Sequence, residues 1–469
     1  MKKEITLILF LGVSTLLSAT NIQVENVRMI YRPELGMAPS IQFDLSWDNA
    51  WHNDRNHDAA WVFFKYNLRH FKITQSGHRI LDQQPTGIPD AKLEVAKDGM
   101  GLFVYPDKNY RGRVHYRLQV QLDMTDFIED RQQLKKVHAF ALEMVYIPAG
   151  PFTLGDPDSL AHQFSSFYRS DAQGQMEGLY HIDSEKQIDV GPEKDKLYYQ
   201  VKRPIYNGDQ KGPVPAEFPK GYNAFYIMKY ELQQGQYADF LNRIYSGDTY
   251  VRAGIAGVDY DKNKGTIVLE EGIYKAGSPT RPMNFVSWED GIAYTDWAGL
   301  RPLTELEYTK AARGPEKPIA GGFVWGTANY DRIARFVNPE GELVMANGWD
   351  ESQLTDATRP VFGASYYWVM DLSGSVWEKV ITIGNELGRQ FKGSHGDGRL
   401  SFGQADNEDW PKSNDEVGGY GYRGGGYYEI GTYYDYFNPH SPVAYRTYGS
   451  WSGGPRSIAY GFRAGRSVD

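Results

Sequence analysis

The side chains in this sequence best able to do chemistry are carboxylates. In Asp371-Leu-Ser-Gly374-Ser-Val376-Trp-Glu378, two acids flank a glycine turn, with the carbonyls of Gly374 and Val376 between them. An oxygen-only set of this kind suits a hard cation such as Ca²⁺. The competing reading is a turn capped by Asp371, with Glu378 paired to an arginine. His52 and His57 lie in a polar, tryptophan-flanked segment at a spacing that shares no helical face, so a loop is expected there rather than a metal site. None of the 10 histidines forms the His-x-x-x-His pair of a helical metal site. Zero cysteines exclude a thiolate nucleophile, a disulfide and a zinc–thiolate centre. No Gly-x-Ser-x-Gly elbow occurs, and the glycines of residues 421–426 follow no βαβ unit that would make them a phosphate loop.

The elements that must position these groups change character along the chain. Residues 41–47 and 114–122 alternate strictly between apolar and polar, the period of a half-buried antiparallel strand. Residues 61–68 and 101–105 add two shorter strands, so a β-sandwich is expected over residues 20–138. From 143 to 469 short helices sit among long loops rich in Gly, Pro and Tyr. Residues 233–242 bring Tyr237, Phe240 and Leu241 onto one face. Ser287 precedes an acid at the third helical position, Asp290, and Thr304-Glu-Leu-Glu307 is a second capping box whose helix stops at Gly314. Capping and the helix dipole explain the paired acids at 289–290 without catalysis.

A length of 469 residues implies two or three cores, and the net charge of −9 offers no basic footprint for nucleic acid. Lys2 and Lys3 precede an apolar run from Ile5 to Leu17 that ends at Ser18 and Ala19. This pattern reads as a signal peptide over residues 1–19 and makes the protein exported, periplasmic or at the cell surface. No cysteine follows that could carry a lipid, and no later stretch approaches the roughly 20 apolar residues of a membrane span.

A family resemblance rests on ordered segments. They are Met144-Val-Tyr-Ile-Pro-Ala-Gly-Pro-Phe152, residues 226–237, Arg281-Pro-Met-Asn-Phe-Val-Ser-Trp-Glu-Asp290, residues 294–314, Val324-Trp-Gly326, residues 371–378, Tyr422-Arg-Gly-Gly-Gly426 and Gly461-Phe-Arg463. Together they resemble the formylglycine-generating-enzyme, or sulfatase-modifying-factor, family. Within residues 301–314 Pro and Leu are exchanged relative to the family signature, and Tyr308 replaces its Trp.

The resemblance implies an α+β chain in which the N-terminal antiparallel β-sandwich is followed by a loop-rich C-type-lectin-like domain at 143–469. The family's two copper-holding cysteines would fall near Glu429 and Tyr434, neither of which supplies a soft thiolate. The iron–histidine set of the ergothioneine-type branch is also missing. No catalytic or cofactor-binding residue is therefore assigned. The family's Ca²⁺ site implies Asp371 in place of its Asn, the carbonyls of Gly374 and Val376, and Glu378; of a second site only Asn338 is recognisable. The expectation is a non-catalytic binding or structural protein whose partner is a protein complex or a glycan, met in part by the tyrosine-rich residues 427–448. The alternative is a divergent metal-dependent oxidoreductase using Glu429, His395 or His440.

Overall fold

The computed structural model describes residues 21–31, 38–66, 68–123, 137–253, 264–329, 333–337, 343–346, 348–412, 415–426, 441–454 and 456–468. The expected leader lies outside them, as do Asn338, Glu429, Tyr434, His440 and the rest of the tyrosine-rich segment 427–440. The described chain is mostly strand with few helices.

Both alternating segments form strands, β2 (Ser40–His52) and β8 (Tyr110–Asp123), which pair antiparallel after β1 (Gln23–Ile30) has joined β2. Between them in the chain come β3 (Asp58–Tyr66), β4 (Arg69–Ile73), β5 (Arg79–Gln84), β6 (Ala91–Val95) and β7 (Leu102–Pro106). The alternation has a direct packing consequence. Ile41, Phe43, Leu45 and Trp47 of β2 meet Val114, Tyr116, Leu118 and Val120 of β8 in one core, which Ala60, Val62 and Phe64 of β3 complete.

The other face of β3 belongs to a different core. Ala59, Trp61 and Phe63 pack with residues far along the chain, among them Phe240 and Trp297. A strand buried on both faces loses alternation and reads as a continuous apolar run, as β3 does, with all nine residues buried. Strand β9 (Val137–Ile147) runs through the expected junction. One edge pairs with β3 from Val137 to Val145, and the other pairs with β10 (Phe225–Met228) from Met144 to Ile147. Strands β11 (Arg301–Pro302) and β15 (Ala464–Ser467) extend the sheet beyond β10. The path runs β1-β2-β8-β4-β3-β9-β10-β15-β11, with β5 on β8 and the β6–β7 pair on β3, in a sheet of 12 strands. A separate three-stranded sheet joins β12 (Trp377–Ile381) to β13 (Tyr420–Arg423) and β14 (Tyr460–Gly461).

Helices α1 (Gln234–Leu241) and α2 (Trp288–Trp297) line the second core, and α3 (Glu305–Arg313) gives it Leu306 while Tyr308, Ala311 and Ala312 enter a third. Both expected capping boxes are present. Asp290 N–H donates to Ser287 Oγ at 3.2 Å and Ser287 N–H to Asp290 at 2.9 Å. Glu307 N–H donates to Thr304 Oγ1 at 3.1 Å and Thr304 N–H to Glu307 at 3.0 Å. Gly314 ends α3 with φ 63°, a left-handed conformation that glycine takes without strain. Among the described residues no helix is long and apolar enough to cross a membrane.

Candidate functional site

Three of the motif segments converge on one buried turn. Residues 371–378 leave the core through left-handed conformations at Asp371, Gly374 and Ser375 and then enter β12. Asp371 accepts two hydrogen bonds from Arg335, at 2.7 and 2.8 Å. Glu378 accepts from Arg463 Nε at 2.9 and 3.0 Å and from Nη2 at 2.7 Å. Arg463 also donates to the carbonyls of Met228, Lys229 and Met370, so every nitrogen of its guanidinium is engaged. The sequence reading did not single out Glu231 as a site residue. Its carboxylate accepts from Ser375 Oγ at 2.6 Å and Val376 N–H at 3.0 Å. Burial first, then the charges of Asp371 and Glu378, push Glu231 well above the ordinary carboxyl range. Its only sequence signal is its place inside the motif at 226–237.

A second buried node is centred on Glu305. Glu305, in the first turn of α3, is fully buried and accepts from Arg446 at 2.5 and 3.0 Å and from Arg423 at 3.4 Å. Burial alone would raise its pKa; Arg446 and then Arg423 hold it below the usual value. Arg423 begins the Arg-Gly-Gly-Gly motif and Arg446 follows the segment 427–440. One glutamate thus brings Arg423 and Arg446 into a single buried cluster. Arg446 also lies over the Phe167 and Tyr199 rings at 3.9 and 4.7 Å, which adds cation–π attraction. Tyr308, standing where the resemblance places Trp, donates its hydroxyl to the carbonyl of Leu372 and so links α3 to the turn.

The remaining sequence candidates divide clearly. His52 and His57 do come together, with rings 5.0 Å apart, but they are packed as aromatics. His57 stacks on Tyr105 and Tyr146 and shares a hydrogen bond of 3.0 Å with the Tyr226 hydroxyl. Burial and the neighbouring His52 push His57 down to about 3, so it is neutral. His395 Nε2 accepts the Ser467 N–H at 3.0 Å, which uses the lone pair a metal would need. At the turn, the oxygens of Asp371 and Glu378 are taken by guanidinium groups and those of Glu231 by Ser375 and Val376. As placed, this donor set does not fit a hard cation, which would have to displace two arginines.

Residues 131–467 match the family model described as the Sulfatase-modifying factor enzyme 1-like domain. A relative from Bos taurus named formylglycine-generating enzyme is 25% identical over 194 residues, 36% of this chain and 51% of the relative. Proteins of the same name from Thermomonospora curvata and Streptomyces coelicolor are 31% identical over 101 residues and 32% identical over 108. These two alignments cover 21% and 22% of this chain, and 33% and 32% of the relatives. The chain therefore spans about half the length of the bovine protein and about a third of each bacterial one.

Proposed function

We propose that this chain, which belongs to the family of sulfatase-modifying factor enzyme 1-like domains, is an exported, non-catalytic binding or structural protein of the cell envelope or surface. The observation that carries the reading is the complete absence of cysteine across the matched residues. The family's copper chemistry runs on cysteine thiolates, and no other residue type supplies a thiolate. The buried arginine–carboxylate nodes support a scaffold role: their donors and acceptors are spent on holding loops, not left facing a substrate. Export rests on the leader pattern at 1–19. In this proposal residues 20–138 form an antiparallel β-sandwich and residues 143–469 a C-type-lectin-like domain that presents long loops to a protein complex or a glycan.

The decisive assay incubates the purified chain with a cysteine-containing sulfatase peptide, copper and oxygen. No aldehyde product is expected; turnover that depends on copper and oxygen would overturn the non-catalytic reading. N-terminal sequencing of the native protein should find a start near Thr20, and retention of Met1 would remove the basis for export. A Ca²⁺ ion at Asp371, Gly374, Val376 and Glu378 is the part of the family pattern that this arrangement favours least. Melting curves in excess calcium and in chelator decide it. A calcium-dependent rise lost in Glu378→Gln would establish the ion, whereas a response that survives Glu378→Gln, or no response at all, leaves the arginines as the partners.

A further inference from the structure

We propose that Asp296, Asp397 and Asp406 form a separate site for a hard divalent cation, which fastens the loop 394–410 to the end of α2. One carboxylate oxygen from each residue lies within 4.8 Å of the other two, the only such group of three among the described residues. Asp296 is fully buried, whereas Asp397 and Asp406 are exposed.

An acidic cluster alone would mean little, but Asp296 adds an independent observation. Its Oδ1 accepts the Asp397 N–H at 3.0 Å, while its Oδ2 is buried with no hydrogen-bond partner among the described residues. A buried carboxylate oxygen with no donor forfeits its hydration for nothing, and native proteins rarely leave one so. The position makes matters worse. Asp296 occupies the last turn of α2, where the negative end of the helix dipole opposes an anion. The loop nevertheless presses hard on this residue. Gly398 N–H donates to the Asp296 carbonyl at 3.1 Å and Gly396 N–H to Leu300 at 2.7 Å. A Cβ at Gly396 would stand 2.3 Å from the Asp296 Cα. These contacts hold Asp397 against Asp296, and of them only the Asp397 N–H answers a carboxylate charge.

The neighbouring ammonium of Lys65 attracts Asp296 and Asp397 through space, but its hydrogen bond goes to the backbone. Lys65 on β3 is fully buried and donates to the Gly398 carbonyl at 2.7 Å. Lys412 donates to the backbone carbonyl of Asp406 at 3.1 Å. A small divalent ion would answer all three carboxylates at once, reaching the orphan oxygen of Asp296 from within and keeping water on the side of the two exposed acids. Oxygen-only donors select Ca²⁺, Mg²⁺ or Mn²⁺ over copper or iron, and the wide, partly open spacing favours Ca²⁺. The same loop touches β3 through Lys65, so the ion would also stiffen the contact between the two ends of the chain. This site is independent of the turn at 371–378 and of the non-catalytic reading.

The test uses the full chain stripped with chelator and titrated calorimetrically, and by thermal melting, with calcium, magnesium and manganese chloride in turn. Calcium is expected to bind with 1:1 stoichiometry and to raise the melting temperature as its concentration rises. Asp397→Asn combined with Asp406→Asn alters only exposed side chains, so the fold should persist by circular dichroism while calcium affinity falls at least about tenfold. Glu378→Gln should bind as the wild type does. Silence toward all three ions up to about 10 mM, beyond the range of even weak calcium modules, would overturn the site. So would calcium binding that the double substitution leaves intact.

Discussion

At the scale of single residues, the buried charges between β3, β9 and β10 make stability depend on pH in a definite direction. Lys229 lies 3.0 Å from Glu143, 3.8 Å from Asp58 and 3.9 Å from Glu351, so three carboxylates share one ammonium. Burial outweighs the attraction of Lys229 and pushes Asp58 up to about 6 and Glu143 up to about 7. Between about pH 4 and 7 the unfolded chain has already released protons that the folded chain keeps, so stability must fall as pH rises through that window. The unfolding free energy from denaturant titration should be higher at pH 5 than at pH 8, by on the order of 1–3 kcal/mol from this pair. Glu143→Gln should flatten the slope; an unchanged slope would place the proton elsewhere. The Arg463–Glu378 pair makes a complementary demand. Glu378→Ala leaves a buried guanidinium without its counter-charge and should cost about 3–5 kcal/mol in urea unfolding. A loss below about 1 kcal/mol would show that Arg463 needs only its backbone partners. The acids at 371 and 378 were legible in the sequence as a pair, but their arginine partners, at 335 and 463, were not. Spacing along the chain carries no record of which distant cation folds back onto an acid.

Elements were more legible, because the forces that start and stop them act over a few residues. Ser287 and Thr304 cap α2 and α3 through reciprocal bonds that span three positions, and Gly314 ends α3 within the same turn. The alternation of β2 and β8 likewise reports a local fact, that one face of each strand is buried. What an element packs against is a different matter. Gly291 sits inside α2, where alanine would ordinarily favour the helix by up to about 1 kcal/mol. Here a Cβ would come within 2.1 Å of the Phe462 ring, which belongs to the Gly-Phe-Arg motif ahead of β15. Gly291→Ala is therefore expected to lower stability by about 1–3 kcal/mol, read from thermal or urea melts. A melting temperature equal to or above that of the wild type would show that the ring can move aside.

At the scale of the whole molecule, β9 joins what the sequence textures separate. The expected boundary at 138–143 lies inside a strand that pairs with β3 on one edge and β10 on the other. Further ties cross between the regions: Trp61 Nε1 donates to the Ala298 carbonyl at 2.9 Å, Arg466 pairs with Asp98 at 2.6 Å, and Arg55 pairs with Asp356 at 2.5 Å. The full chain is expected to unfold in one cooperative transition. A fragment starting at Val137 would expose the β9 edge and the apolar surface covered by Trp61 and Phe63, and should melt earlier or associate through that edge. A fragment that stays monomeric and melts at the temperature of the full chain would show that the ties are superficial. The sequence alone decided the family, the loss of thiolate chemistry, the alternating strands and the helix caps, since each depends on composition or on contacts a few residues apart. Only the tertiary structure decided that β3 is buried on both faces, that Glu305 pairs with both Arg423 and Arg446, and that Asp296 meets Asp397 and Asp406. Those outcomes depend on side chains a hundred or more positions apart meeting around a buried group, and there the cost of leaving a charge or a polar atom unanswered selects the partner.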